Sequence, residues 1–133
     1  MIDADRLRIT SWLVPETVAL LSSPDIAAFV HHGGANSYFE ACYTGVPQVI
    51  LPVWYDTYVF AAKAEYHGIG VYGNKKSAPG ANREEFTEAL TKVMSDAAMR
   101  EKAKATGEIC RKSGGRETAY EKITEVARRS TKI

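Results

Sequence analysis

The stretch that decides the fold is 25-DIAAFVHHGGANSYFEACYTGVPQVILP-52. A short apolar run ends at two histidines, and two glycines then lead into a helical segment. Gly45 predicts the end of this helix, because glycine is the usual residue just past a helix C-terminus. A second apolar run, residues 47–53, follows at once. The stretch therefore predicts a β-strand, a helix and a second, parallel β-strand.

The same alternation continues on both sides of this unit. Residues 7–14 (LRITSWLV) predict a further strand, and residues 69–73 (IGVYG) predict a short final one. Between them we expect a helical turn at 17–24 and a helix over 56–68 that Gly68 ends. The strands are continuously apolar, which is typical of a parallel sheet covered by helices on both faces.

The last third of the chain, after a loop at 73–81, is predicted to be helical. Asn82 with Glu85 resembles a capping pair, and Asp96 is expected to cap the next helix, which stops at residues 114–115. Apolar residues share a face in the first and last of these helices. They are Phe86, Ala89, Leu90, Val93 and Met94, and then Ala119, Ile123, Val126 and Ala127.

These elements predict an α/β fold with a Rossmann-like parallel sheet of about four strands, flanking helices and a helical C-terminal third. We expect residues 1–133 to form one partial domain, with a strand–helix core over 1–72 and helices over 82–133. A doubly wound nucleotide-binding sheet usually has about six strands, so the chain is expected to be part of a larger domain.

Charge and cysteine content exclude several classes of protein. The formal charge is +1, from 17 basic and 16 acidic residues, which gives no electrostatic case for a nucleic-acid partner. Cys42 and Cys110 have no metal or redox spacing, which indicates free thiols in a reducing compartment. The first ten residues lack the apolar segment of a signal peptide, and no apolar run is long enough to span a bilayer. We therefore expect a soluble, cytoplasmic protein.

The glycine turn carries the chemistry. A helix N-terminus presents unpaired N–H groups and a partial positive charge, and glycines let an anion approach the backbone closely. His32, Asn36 and Ser37 add donors to this end of the helix. Glu40, one turn further along, is placed to accept hydrogen bonds from a ribose diol. The plainer alternative is that the glycines only turn the chain and that His32 is a core residue.

Two other side chains have open interpretations. Trp12 is either a core residue or a platform that stacks on a base. Asp56 is either a helix N-cap or a carboxylate for sugar hydroxyls. His31, at the end of its strand, is expected to be structural.

The ordered pattern H-x-G-x-N-S-x-x-E, then G-V-P, then P and D, resembles the nucleotide-sugar signature of family 1 glycosyltransferases. These are UDP-dependent enzymes with the GT-B fold. The segments HHGG (31–34) and GVPQ (45–48) are more similar to bacterial macrolide-type, sterol-type and fungal members than to plant members. The resemblance covers residues 12–56 and implies the C-terminal, donor-binding half of a GT-B fold.

The resemblance also implies roles for individual residues. Trp12 would stack on uracil, and Glu40 would hold the ribose hydroxyls. The pyrophosphate would contact His32, with Gly33, Gly34, Asn36 and Ser37 around it. Asp56 would bind hydroxyls of the donor sugar, with Thr57 beside it where plant members carry Gln.

The expected reaction is inverting transfer of a hexose, glucose being the expected sugar, to a hydroxyl of a small lipophilic or natural-product acceptor. The acceptor and the general base would lie on the N-terminal domain, so no catalytic residue is expected here. The resemblance implies neither a metal nor another cofactor besides the UDP-sugar substrate. Alternatives are a nucleotide-sugar epimerase, or a non-catalytic UDP-binding subunit whose sheet is completed by self-association or a partner chain.

Overall fold

The computed structural model describes residues 7–130, and the ends of the predicted 1–72 and 82–133 segments lie outside that range. Six helices and three strands follow one another in the described part of the chain. They are α1 Thr17–Leu21, β1 Phe29–His31, α2 Ala35–Thr44, β2 Gln48–Ile50, α3 Thr57–His67, β3 Gly70–Tyr72, α4 Arg83–Ser95, α5 Ala97–Lys112 and α6 Gly115–Ser130.

The three strands form a parallel sheet in the order β1-β2-β3. Val30 pairs with Val49, and Val49 pairs with Val71. Each strand is joined to the next by one helix, α2 or α3, as in a βαβ unit. This confirms the predicted α/β architecture with a parallel sheet.

Neighbouring residues of β2 supply the core on opposite faces of the sheet. Ile50 packs with Tyr38 of α2 and Ala61 of α3. Val49 packs on the other side, in a cluster that includes Val93 of α4. Side chains alternate across a strand, so a continuously apolar strand can serve both layers.

The predicted helix ends are confirmed at several positions. Gly45 and Gly68 follow α2 and α3 in the left-handed conformation, with φ of +76° and +66°. The Oδ1 atom of Asn82 accepts a hydrogen bond from the Glu85 amide at 2.7 Å. Asp96 caps α5 in the same way, through the Met99 amide at 2.9 Å.

The capping pair at α4 is not reciprocal, because the Glu85 carboxylate is engaged elsewhere. It accepts hydrogen bonds from the Lys76 amide and the Ser77 hydroxyl, each at 2.7 Å. Both bonds lower the pKa of Glu85 from its ordinary value, and the bond from the Lys76 amide has the largest effect. Glu85 thus braces the loop between β3 and α4, which the sequence predicted as a loop.

The prediction of a strand at residues 7–14 is wrong. The sheet in the described residues therefore has three strands, where about four were predicted. Ile9 and Val14 are 86% and 90% exposed. Strand preference is realised only where a side chain packs on a buried face beside a paired strand. This segment has neither, so its apolar residues do not form a strand.

Two predicted apolar faces differ from the structure. Met94 is 48% exposed, so the buried face of α4 ends at Val93. In α6 no residue is buried, and Ile123 and Val126 are 70% and 67% exposed. The helix predicted over this segment is present as α6, but periodicity does not say whether another element covers its apolar face. In the described residues, no helix combines the length and apolar character needed to cross a bilayer.

Two isoleucines with different burial, Ile50 and Ile123, provide a test of this core. Ile50 is fully buried and Ile123 is 70% exposed. Ile50→Ala is expected to lower the free energy of unfolding by about 3 kcal/mol, since it removes buried methyl groups and leaves a cavity. Ile123→Ala should change it by less than about 0.5 kcal/mol. Urea denaturation measures both, and equal losses would contradict the assigned core.

Candidate functional site

The site is built where the loops after β1 and β2 meet, at the carboxyl edge of the sheet. Gly33 lies at this junction with φ +92°, a conformation that favours glycine. A Cβ atom placed on Gly33 would lie 2.8 Å from Cγ2 of Ile50 and 2.9 Å from the carbonyl oxygen of Thr57. The absence of a side chain at Gly33 therefore allows the two loops to pack together.

His32 and Gly34 form the mouth of α2. A Cβ atom placed on Gly34 would lie 2.7 Å from Nε2 of His32, so the exposed imidazole lies directly over this glycine. Gly34 is the N-cap of α2 and supplies no side-chain cap. The first hydrogen bond of the helix runs from the Tyr38 amide to the Gly34 carbonyl, at 3.0 Å. The amides of residues 35–37 are thus left for a ligand or solvent.

Asn36 and Glu40 lie one turn apart on α2 and line the same open cleft of about 1370 Å³. Phe39 and Tyr43 continue this wall along the helix. Ser37, the third polar residue of the segment, is half-buried. The structure therefore brings Asn36 and Glu40 together as the spacing predicted.

The junction of α5 and α6 forms the opposite wall of this cleft. Its lining residues are Cys110, Arg111, Ser113, Gly114, Gly115, Arg116 and Glu117. The Nη1 atom of Arg111 donates to the Tyr43 carbonyl at 2.6 Å, so it ties α5 to the last turn of α2. Sequence reasoning missed this wall, because it comes from residues about 70 positions away along the chain.

Asp56 and Thr57, neighbours in sequence, have different surroundings. Thr57 is 1% exposed, and its hydroxyl donates to the Trp54 carbonyl and accepts from the Trp54 amide. Asp56 is exposed, and although it precedes α3 its side chain makes no capping hydrogen bond. The Asp56 carboxylate is thus open to a ligand, whereas the Thr57 side chain stabilises its own loop.

Trp54 and Tyr55 complete the loop in front of Asp56. They are 60% and 90% exposed, and Tyr55 has φ +37°, which is rare for a residue with a side chain. Sequence reasoning did not single them out. Two adjacent aromatic residues just before a candidate sugar-binding carboxylate were the available signal.

His31 lies beneath the glycine turn in a chain of hydrogen bonds. The Gly33 amide donates to Nδ1 of His31 at 3.0 Å, and Nε2 of His31 is 2.9 Å from Oε1 of Gln48. Nε2 of Gln48 in turn lies 3.6 Å from Sγ of Cys42. Burial lowers the pKa of His31 from 6.5, against an opposing effect of the Gln48 bond. A neutral imidazole therefore supports the turn.

Trp12 lies apart from these groups. Its side chain is 80% exposed, its carbonyl accepts a bond from the Thr10 hydroxyl at 2.8 Å, and it does not line the cleft of Asn36 and Glu40. The predicted contact of Trp12 with a base stays a prediction. Among residues 7–130 no group of three or more His, Cys, Asp or Glu side chains is placed to hold a metal ion.

Comparisons with known proteins cover nearly the whole chain. The family model "Erythromycin biosynthesis protein CIII-like, C-terminal domain" matches residues 4–121. The chain is 43% identical to glycosyltransferase sdnJ of Sordaria araneosa, over 90% of this chain and 27% of that protein. It is 34% identical to O-mycaminosyltylonolide 6-deoxyallosyltransferase of Streptomyces fradiae, over 96% of this chain and 28% of that protein.

Solved structures of the GT-B type share the fold. The glycotransferase of kitacinnamycin superposes with a TM-score of 0.74 at 24% identity, over 90% of this chain and 29% of the other. Os79 from O. sativa, determined in complex with U2F and trichothecene, superposes with a TM-score of 0.79 at 25% identity, over 94% and 29%. The chain thus spans less than a third of the length of these relatives.

The close packing at Gly33 can be tested against a second glycine of positive φ. Gly115 has φ +52°, and a Cβ atom there would meet nothing within 4 Å. Gly33→Ala is expected to lower the free energy of unfolding by about 3 kcal/mol, from backbone strain plus overlap with Ile50 and Thr57. Gly115→Ala carries only the strain, about 1 kcal/mol. Urea denaturation that ranks the two variants in the opposite order would refute this packing.

Proposed function

The chain belongs to the family of erythromycin biosynthesis protein CIII-like C-terminal domains, and on that basis we propose that it is the nucleotide-sugar-binding part of an inverting glycosyltransferase. The observation that carries the proposal is the uncapped start of α2 beneath His32, with Asn36 and Glu40 along the same helix. The proposed donor is a UDP-hexose, with glucose as the first candidate. The proposed acceptor is a hydroxyl of a small lipophilic or natural-product molecule.

The start of α2 supplies the diphosphate site. Its free amides at residues 35–37 and the helix dipole present roughly half a positive charge to an anion. His32, placed over Gly34, adds a donor from the side. When an acceptor hydroxyl displaces UDP from the anomeric carbon, negative charge grows on the diphosphate. These fixed donors stabilise that charge with little rearrangement.

Glu40 and Asp56 extend the site in two directions. Glu40 is one helical turn, about 6 Å, beyond Asn36, a separation that fits the step from a phosphate to a ribose. Its carboxylate accepts hydrogen bonds from the ribose hydroxyls. Asp56, at the neighbouring loop, accepts hydrogen bonds from hydroxyls of the sugar, and Thr57 holds that loop through Trp54. The exposed indole of Trp12 is the proposed platform for uracil.

The remaining chemistry is assigned to residues outside this chain. Because the chain corresponds to 27% of its fungal relative, we propose that acceptor binding and the general base belong to other parts of the whole protein. The 133-residue chain is then expected to bind UDP weakly and to transfer no sugar by itself. We also propose a cytoplasmic location, which fits the free thiols Cys42 and Cys110.

Glu40 can be tested with nucleotides that differ only in the ribose. Glu40→Gln is expected to weaken UDP binding about tenfold, because a charge-assisted hydrogen bond to the ribose is lost. The same substitution should leave binding of 2′,3′-dideoxy-UDP unchanged, since that ligand lacks both hydroxyls. Isothermal titration calorimetry measures the four affinities.

Glu88→Gln is the matched control for this experiment. Glu88 is an exposed carboxylate on α4, away from the cleft, and its substitution should change neither affinity. If Glu40→Gln lowers the affinity for both nucleotides equally, the ribose contact is refuted. A folded wild-type chain that binds neither nucleotide would refute the proposed function.

Asp56 is tested by comparing UDP with UDP-glucose. Asp56→Asn is expected to weaken UDP-glucose about tenfold and to leave UDP within twofold, because only the sugar-containing ligand reaches this carboxylate. Calorimetry at neutral pH measures both. An equal loss of affinity for UDP and for UDP-glucose would place Asp56 at the nucleotide instead.

The epimerase alternative has its own test. Conversion of the donor sugar by the whole protein, with no acceptor present, would support that alternative.

A further inference from the structure

We infer that His31 is a positioning residue: Gln48 holds its imidazole in the Nε2–H tautomer, so that Nδ1 anchors the Gly33 amide and fixes the turn that opens α2. The inference deepens the proposed function, because that turn is the start of the proposed diphosphate site. His31 is itself buried and acts through Gly33.

The tautomer follows from the direction of the hydrogen bonds. A backbone amide can only donate, so the 3.0 Å contact from the Gly33 nitrogen requires an unprotonated Nδ1. In a neutral imidazole the proton is then on Nε2, which lies 2.9 Å from the side-chain amide oxygen Oε1 of Gln48. The Gln48 amide is oriented in turn by its contact of 3.6 Å with Sγ of Cys42. Each group in the chain thus has its donor or acceptor role set by its neighbour.

The turn is held from two sides by independent contacts. Packing of Ile50 and Thr57 encloses the Cα of Gly33, and the His31 ring holds its amide. The Phe29 ring, 4.8 Å from the His31 ring and stacked on it, limits how the imidazole can tilt. Since Gly34 and α2 follow directly, a change in the Gly33 peptide orientation would move the amides of residues 35–37.

The anchor also decides which amides remain for a ligand. The Gly33 amide is already occupied by His31, although the sequence places Gly33 in the phosphate turn. Gly33 therefore contributes its conformation, whereas donors to an anion come from the helix start and His32. Sequence patterns cannot separate these two uses of a glycine.

The surroundings keep the hydrogen-bonded groups of His31, Gln48 and Cys42 uncharged. Among the described residues, the titratable groups that act on His31 or on its partners are His32, next to it, Cys42 and Tyr38 on α2, and Cys110 on α5. Burial raises the pKa of Cys42 and raises the pKa of Tyr38 to about 12, so both stay protonated near neutral pH. Burial lowers the pKa of His31. Protonation of His31 at Nδ1 would turn the acceptor into a donor that faces the Gly33 amide.

The sign of the pH effect follows from this arrangement. The pKa of His31 in the folded state lies below its unfolded value of 6.5. The contribution of neutral His31 to the free energy of unfolding is therefore complete above pH 6.5. It is lost as the pH falls through the folded pKa. The Gly33 anchor should be released over the same acidic range.

The test uses the 133-residue chain with Gln48→Met, which keeps the side-chain volume but removes the amide acceptor. Nitrogen-15 spectra of the imidazoles are expected to show His31 protonated at Nε2 in the wild type and a mixture of tautomers in the variant. Hydrogen exchange of the Gly33 amide should accelerate about fivefold, and UDP affinity should fall about fivefold, as for one hydrogen bond.

Val49→Ala is the matched control, because Val49 is the next residue of the same strand and packs on the opposite face of the sheet. It should lower stability but leave the His31 tautomer and UDP affinity within twofold of wild type. Gln48→Glu is the second variant. A carboxylate beside Nε2 favours the imidazolium, so loss of UDP binding on acidification should shift to higher pH.

Wild-type His31 protonated at Nδ1, or unchanged Gly33 exchange in both Gln48 variants, would overturn the inference. Unchanged UDP affinity and unchanged acid sensitivity in both Gln48 variants, when the wild type binds UDP, would also overturn it. If the wild type does not bind UDP, the proposed function fails by itself. In that case the tautomer and the Gly33 exchange still decide whether His31 anchors the turn.

Discussion

The close approach of Gly33 to Ile50 and Thr57 is the constraint on which the candidate site depends. It joins the loop after β1 to the loop after β2 at the carboxyl edge of a parallel sheet. From this contact follow the position of α2, whose start faces the edge, and the position of Asp56 on the adjacent loop. A side chain at Gly33 would separate these loops, since the space it needs is filled by a core isoleucine and by backbone.

Much of the α/β core could be predicted because its signals are local. Short apolar runs predicted β1, β2 and β3, and Gly45 and Gly68 correctly predicted where α2 and α3 end. Residues 7–14 carried the same apolar signal without forming a strand. Strand formation also requires a neighbouring strand, which lies outside any local pattern. The exposed apolar side of α6 has the same explanation, because periodicity reports a face and not its cover.

The candidate site was predictable only where its residues share one helix. The spacing of Asn36 and Glu40 predicted that they share one helix face, and both line one cleft. The inward use of the Thr57 hydroxyl and the wall at Arg111 depend on tertiary packing. His31 was expected to be structural from its place at the end of a strand. Its link to Gln48, 17 residues further along the chain, follows only from the register of two paired strands.

The division of β2 between two layers has a consequence for how this domain can change. Gly33 packs against Ile50, which belongs to the layer of α2 and α3. The layer of α4 rests on Val49 and Val71, on the other face of the sheet. Substitutions on the α4 layer can therefore change the stability of the domain while the packing at Gly33 stays in place.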